Sequence, residues 1–252
     1  MKLKTNKHKT LFSFFAVLLF VYIILFGFIL PVNKILPKPS VLIESIPVLF
    51  GSEYNFISAI LFTYTILFAA VFISYFLISW FFPIIKNFME SFPRLIYLLD
   101  IKKYLLPFFL IIFFELWFQD AIYAEFIFIL IIVFAELKTT IINQLSNNLN
   151  GAYINSGKSL GLTENELNKK VIWKSLQPSI FETIHKNYIY YFGLIILYEF
   201  ICKVNGIGLT LYTSLKYNDL SLIVLIVLVL LVVFWLNELI LKSIKNKFFF
   251  WK

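Results

Sequence analysis

The sequence is poor in the residues that most often perform chemistry. It has one cysteine, Cys202, and two histidines, His8 and His185, in 252 residues. A single cysteine excludes an internal disulfide and a thiolate metal cluster, and the two histidines are too far apart in sequence to show ligand-like spacing. We therefore predict no catalytic residue, no metal and no cofactor.

Charged residues are also scarce. They make up 14% of the chain, whereas 61% is hydrophobic and the mean hydropathy is +0.88. Soluble domains have roughly 45–50% apolar and about 25% charged residues. The excess predicts an all-α polytopic membrane protein with lipid around it. In such a chain the net charge of +8 indicates cytoplasmic flanks rather than a nucleic-acid partner.

Six apolar stretches predict about six transmembrane helices in one domain, residues 1–252. A spanning helix needs about 20 mostly apolar residues, and the third and fifth stretches are the shortest. The predicted spans cover about 11–30, 56–82, 104–118, 121–142, 187–201 and 220–241.

The basic residues predict the orientation of these spans. If the N-terminus is cytoplasmic, 18 of the 22 Lys and Arg residues fall in inner segments and 4 in outer loops. Such an excess on one side is typical of the cytoplasmic face. Both termini and the polar segment 143–186 are therefore predicted to be cytoplasmic.

That segment contains Gly157-Lys158-Ser159, a triplet typical of phosphate-binding loops. The nucleotide-binding motif has four residues between its first glycine and the Gly-Lys pair, but five separate Gly151 from Gly157 here. The motif also requires a preceding strand and an α/β domain, for which some forty residues are too few. We exclude ATP binding by this loop.

The local signals instead predict a helical hairpin. Gly161 suits a left-handed helix cap. Thr163 and Glu166 have the spacing of a capping box, and Pro178 is predicted to end the second helix. The hairpin either lies on the membrane surface or docks into a groove of a cytoplasmic partner.

At these residues the chain resembles the permease subunit of bacterial ABC importers. That family has a cytoplasmic loop of the form E-A-A, three residues, G, nine residues, I, one residue, L-P. Gly161 aligns with the central glycine and Val171 with the isoleucine, whereas the glutamate and the first proline are absent. The resemblance assigns ATPase coupling to Ala152, Asn155, Ser156, Gly157, Leu160, Gly161 and Leu162.

Further stretches resemble the branch of that family that imports nitrate, sulfonates, taurine and thiamine-pyrimidine precursors. These are Leu36-Pro37-Lys38-Pro39 after the first span, Phe92-Pro93 before the third, and Glu199 with Gly206-Ile207-Gly208 after the fifth. Glu199, Gly206 and Gly208 are candidates for the translocation path. Glu199 could instead be a structural hydrogen-bond partner.

The resemblance implies a subunit that performs no catalysis itself. Two permease copies, identical or related, would enclose the path in the bacterial cytoplasmic membrane. A cytoplasmic ABC ATPase dimer would act on the loop around Gly161, and an extracytoplasmic solute-binding protein would deliver the solute. Two alternatives stay open: an ion-coupled secondary transporter, and an integral membrane enzyme.

Overall fold

The computed structural model describes residues 17, 20–29, 36–91, 107–118, 122–148 and 157–248. All regular secondary structure within these ranges is helical, as the composition predicts. A π-helical turn lies at Leu25–Ile29, and a short helix at Glu164–Glu166 continues into a second π-helical stretch at Leu167–Ile172. The longer helices are α1 Pro39–Phe50, α2 Phe56–Ser91, α3 Pro107–Trp117, α4 Ile122–Asn148, α5 Trp173–Cys202, α6 Ile207–Lys216 and α7 Leu220–Phe248.

Within the described ranges, two helical segments, Phe56–Phe88 and Leu220–Lys247, are long and apolar enough to cross a membrane. The protein buries only 33% and 28% of their most apolar windows, which is consistent with a membrane protein whose helices contact lipid. A third span exists if Leu167–Cys202 and Ile207–Lys216, which meet at a bend of 50°, count as one broken helix. A count of six spans stays a prediction.

Several helices extend past their predicted ends. The prediction that Pro178 ends a helix is wrong, because α5 continues through Pro178 to Cys202. Proline removes one backbone hydrogen bond, but the helix beyond it buries a long series of apolar side chains, including Ile180, Phe192 and Ile195. Helix α2 likewise passes through Pro83, and its described part reaches Ser91 rather than Phe82.

Two helices, α1 and α6, lie in segments predicted as outer loops. Pro39 occupies the first position of α1, where its fixed φ angle fits and a missing N–H costs nothing. Helix α6 begins directly after Gly206, whose φ angle is +148°. Both helices are too short to be recognised as spans from apolar length.

The described residues form two compact units, and α6 and α7 each contribute to both. One unit contains the described residues up to Ile57 together with Thr210–Val233. In it the Ser45 hydroxyl of α1 donates to Ser221 Oγ of α7 over 2.8 Å. Asp219 caps the start of α7, since its Oδ1 accepts from the Leu222 N–H over 3.1 Å.

The other unit contains Ser58–Leu209 and the chain from Phe234 onward. Its central contact joins α4 and α5. The hydroxyls of Thr140 and Thr183 lie 3.2 Å apart, and the rings of Phe128 and Tyr198 pack with centroids 5.1 Å apart. The end of α7 joins α5 where His185 Nε2 lies 3.1 Å from Glu238 Oε2.

Candidate functional site

The chain leaves a short helical segment at Gly161 through a glycine cap. The Gly161 N–H donates to the Lys158 carbonyl over 3.0 Å, and the Leu162 N–H donates to the Gly157 carbonyl over 3.3 Å. This bonding pattern is a Schellman motif, which places its penultimate residue in the left-handed region. Gly161 has a φ angle of +74°, so the predicted left-handed cap is confirmed.

The capping box predicted at Thr163 is also confirmed. The Glu166 N–H donates to Thr163 Oγ1 over 3.4 Å, and the Thr163 N–H donates to Glu166 Oε2 over 3.2 Å. Lys170 Nζ donates to Glu166 Oε1 over 2.8 Å. The Lys170 ammonium and the Thr163 donors lower the pKa of Glu166 to about 2, so this carboxylate stays ionised at neutral pH.

Directly before Gly161 the turn presents an apolar side chain to the outside. Leu160 is 79% exposed. Gly157, by contrast, is buried, and a Cβ there would lie 3.2 Å from Leu167 Cδ1. The two sides of the turn therefore pack closely at Gly157 while Leu160 projects from it. The other predicted coupling residues, Ala152, Asn155 and Ser156, lie outside the described residues, as does most of the first arm of the predicted hairpin.

The chain that follows the turn is attached to α2. Lys86 Nζ of α2 donates to Asn168 Oδ1 over 2.8 Å. The Trp173 ring packs between two aromatic rings of α2, with centroids 5.8 Å from Tyr75 and 5.2 Å from Phe82. A displacement of the turn would therefore act on α2 as well as on α5.

A second polar site lies inside the protein where α5 gives way to α6. Glu199 on α5 is 0% exposed. Its Oε1 accepts from the Thr63 hydroxyl of α2 over 2.5 Å, and its Oε2 accepts from the Gly208 N–H over 2.7 Å. The Thr63 hydroxyl in turn accepts from the Ile207 N–H over 3.2 Å. The carboxylate thus satisfies the first N–H groups of α6, directly and through Thr63.

Glycine is required at two positions around this carboxylate. A Cβ at Gly206 would lie 2.0 Å from Glu199 Oε1, and the φ angle of +148° disfavours any other residue. A Cβ at Gly208 would lie 2.3 Å from the Ile196 carbonyl oxygen and 2.5 Å from the Phe200 nitrogen. The absence of two side chains lets the backbone close around Glu199.

Comparisons of the chain with models of protein families, with curated proteins and with solved structures found no match. The resemblance to ABC importer permeases is therefore carried by the sequence motifs alone.

The structure brings Glu199, Gly206 and Gly208 into one buried cluster, whereas the turn at Gly161 is exposed. Their assignment to a translocation path stays a prediction. The hydrogen bonds to Glu199 favour the alternative of a structural partner that holds the start of α6.

Sequence reasoning missed two members of the buried cluster. Thr63 gave no signal, because threonine is common in apolar helices and commonly bonds the carbonyl four residues back. Glu125 did give one: an ionisable side chain within an apolar stretch is costly and usually has a role. It lies on α4, is 0% exposed and interacts electrostatically with Glu199.

Proposed function

We propose that this chain is the membrane-spanning permease subunit of an ATP-driven importer, and that an ATPase on the cytoplasmic side drives it through the turn at Gly161. The solute would be a small one of the sulfonate, nitrate, taurine or thiamine-pyrimidine type. Two permease copies would form the path, and a separate binding protein would deliver the solute.

The observation that carries this proposal is the exposed Leu160 on a turn fixed by a helix cap on each side. An exposed apolar side chain on a short ordered segment can insert into a groove of a partner. The cap at Gly161 and the capping box at Thr163 hold its backbone in one conformation. Such a segment loses less conformational entropy on docking than a flexible loop would.

The attachment of this segment to α2 and α5 supports the mechanical part of the proposal. Lys86 and the ring stack around Trp173 join it to α2, and the chain continues directly into α5. Rigid-body rocking of helices requires such a firm connection between the driven surface and the helices that move.

The proposal predicts an ABC ATPase encoded beside this chain's gene, and the test is association and coupling of the chain with that ATPase. We expect the purified chain alone to show no ATP hydrolysis and the coexpressed pair to form a complex that Leu160→Asp disrupts. Leu160→Met, which keeps the apolar contact at similar volume, is the matched control. A complex that persists with unchanged solute-stimulated hydrolysis in Leu160→Asp would refute docking through this turn.

A second candidate is an ion-coupled secondary transporter. The break between α5 and α6 favours it, because discontinuous helices beside buried carboxylates are typical of such transporters. The experiment is solute uptake by the chain alone in liposomes. Uptake driven by an ion gradient without any ATPase would favour this candidate over the importer subunit.

A further inference from the structure

Two buried glutamates of different helices face each other beside the start of α6. Glu125 lies on α4 and Glu199 on α5, and both are 0% exposed. Tyr198 is one residue before Glu199, and Phe128 is three residues after Glu125. The rings of Tyr198 and Phe128 pack with centroids 5.1 Å apart. This contact fixes the spacing of α4 and α5 at the level of the two carboxyl groups, which interact with each other.

The hydrogen bonds around the pair are distributed unequally. Glu199 accepts from the Thr63 hydroxyl and from the Gly208 N–H. Glu125, in contrast, has two buried carboxyl oxygens that accept no hydrogen bond from any group in the described part of the chain. An ionised, unpaired carboxylate in such a place would be very costly, and a second one beside it would repel it.

A single proton removes both difficulties. A protonated Glu125 carries no charge and gains an O–H group that can donate to Glu199. The Glu199 carboxylate has about four acceptor positions, so it can accept this third bond in addition to the two it already has. The same contacts indicate which glutamate holds the proton. The donors at Glu199 favour its ionised form, so the proton is on Glu125.

We propose that Glu125 and Glu199 form a binding site for one proton, which Glu125 carries as a carboxylic acid and shares with the Glu199 carboxylate at neutral pH. The site would join α4 to α5 and, through Gly208, to the start of α6. It is independent of the proposed transport function and of the ATPase.

The groups around the pair fit this assignment. Tyr198 and Cys202 lie on α5, Thr63 lies on α2, and Glu115 of α3 interacts with Tyr198 and Cys202. None of these four groups is a cation, so none of them offsets the charge of a second carboxylate. Across the described residues no group of three or more His, Cys, Asp or Glu side chains could hold a metal ion.

The test is infrared spectroscopy of the purified full chain at neutral pH. A protonated carboxylic acid has a C=O stretch separate from that of a carboxylate, and we expect the wild type to show this band and Glu125→Gln to lose it. Glu53→Gln, which changes an exposed glutamate, should retain the band. Absence of the band in the wild type, or its persistence in Glu125→Gln, would overturn the proposal.

A second measurement covers the case in which Glu125→Gln does not fold. The melting temperature of the wild type should fall as the pH rises from neutral to alkaline, because the proton leaves the pair, and it should not depend on sodium. The same melting curve in NaCl and in choline chloride is therefore expected. Stabilisation by Na⁺ that replaces the pH dependence would identify a metal cation as the ligand and overturn the proton assignment.

Discussion

The starts of two helical segments show the same chemistry in opposite surroundings. At Thr163 a glutamate, Glu166, accepts the N–H of the cap residue and lies on the surface. At α6 another glutamate, Glu199, accepts the Gly208 N–H and is fully buried. Water can replace the first carboxylate at little cost, whereas nothing can replace the second, because an unsatisfied buried donor costs about 1–3 kcal/mol.

The glycines near the two sites differ in the same way. At Gly161 a Cβ would meet nothing within 4 Å, so only the backbone conformation restricts the residue. At Gly206 and Gly208 a Cβ would lie within 2.5 Å of other atoms. We therefore expect glycine substitutions to destabilise the protein more at the buried start of α6 than at the exposed turn. The following changes test that ranking, from the largest expected effect to the smallest.

The largest effect is expected for Gly208→Ala. Its Cβ would overlap the Ile196 carbonyl and the Phe200 nitrogen, which are backbone atoms and cannot move without disturbing α5. Overpacking of this kind usually costs about 1–3 kcal/mol, so we expect a marked fall in the melting temperature. Circular dichroism during heating measures it. Gly193→Ala, which lies on α5 and has nothing within 4 Å, is the control and should be neutral or stabilising. Equal melting temperatures would contradict the close packing.

The second change is Glu199→Gln, for which we expect a loss in the same range. The glutamine amide has one oxygen. If that oxygen accepts from the Gly208 N–H, the NH₂ group faces Thr63 Oγ1, and the Thr63 hydroxyl must turn its own proton to the Ala59 carbonyl. Both bonds also lose the carboxylate charge that makes such bonds roughly twice as strong. We expect about 1–3 kcal/mol of destabilisation, measured by chemical denaturation in detergent. Glu125→Gln, whose NH₂ group can replace the O–H that we assign to Glu125, should cost less. The reverse order would show that the buried bonds are not what holds α6.

The next change, Gly161→Ala, tests the exposed turn. The left-handed backbone costs a residue with a Cβ roughly 1–2 kcal/mol, and no steric overlap adds to it. Gly161→Asn should lose less stability, because asparagine tolerates this conformation. Melting curves of the two variants check the prediction. A loss as large as that of Gly208→Ala would mean that the turn is packed against something it does not contact here.

The smallest effect is the pH response of Glu166. Its pKa of about 2 lies below the usual 4.5 because Lys170 and the Thr163 donors favour the ionised form. Stability from these contacts is therefore complete above the usual pKa and is lost as the pH falls through the folded value. A carboxyl-carbon NMR titration should give a midpoint near pH 2, and Lys170→Gln should raise it. An unchanged midpoint in that variant would show that Lys170 is not the main cause.

The sequence predicts the exposed region better than the buried one. Gly161, Thr163 and Glu166 act within a few residues of one another, so their spacing is enough to predict both caps. The cluster at Glu199 joins α2, α4 and α5 with the start of α6, and no local pattern shows that Thr63 or Glu125 would meet it. The prediction that a helix ends at Pro178 is wrong for a related reason. Burial of apolar side chains along α5 outweighs the one hydrogen bond lost at Pro178, and that burial depends on the whole fold rather than on the local sequence.

One consequence of the buried cluster concerns how the protein can be studied. Cys202 is the sole thiol of the sequence, and the fold covers it. A cysteine introduced at Leu160 would then be the one thiol that a membrane-impermeant reagent could reach, with no native residue to remove beforehand. Modification of intact cells and of inverted vesicles would reveal on which face of the membrane the Gly161 turn resides.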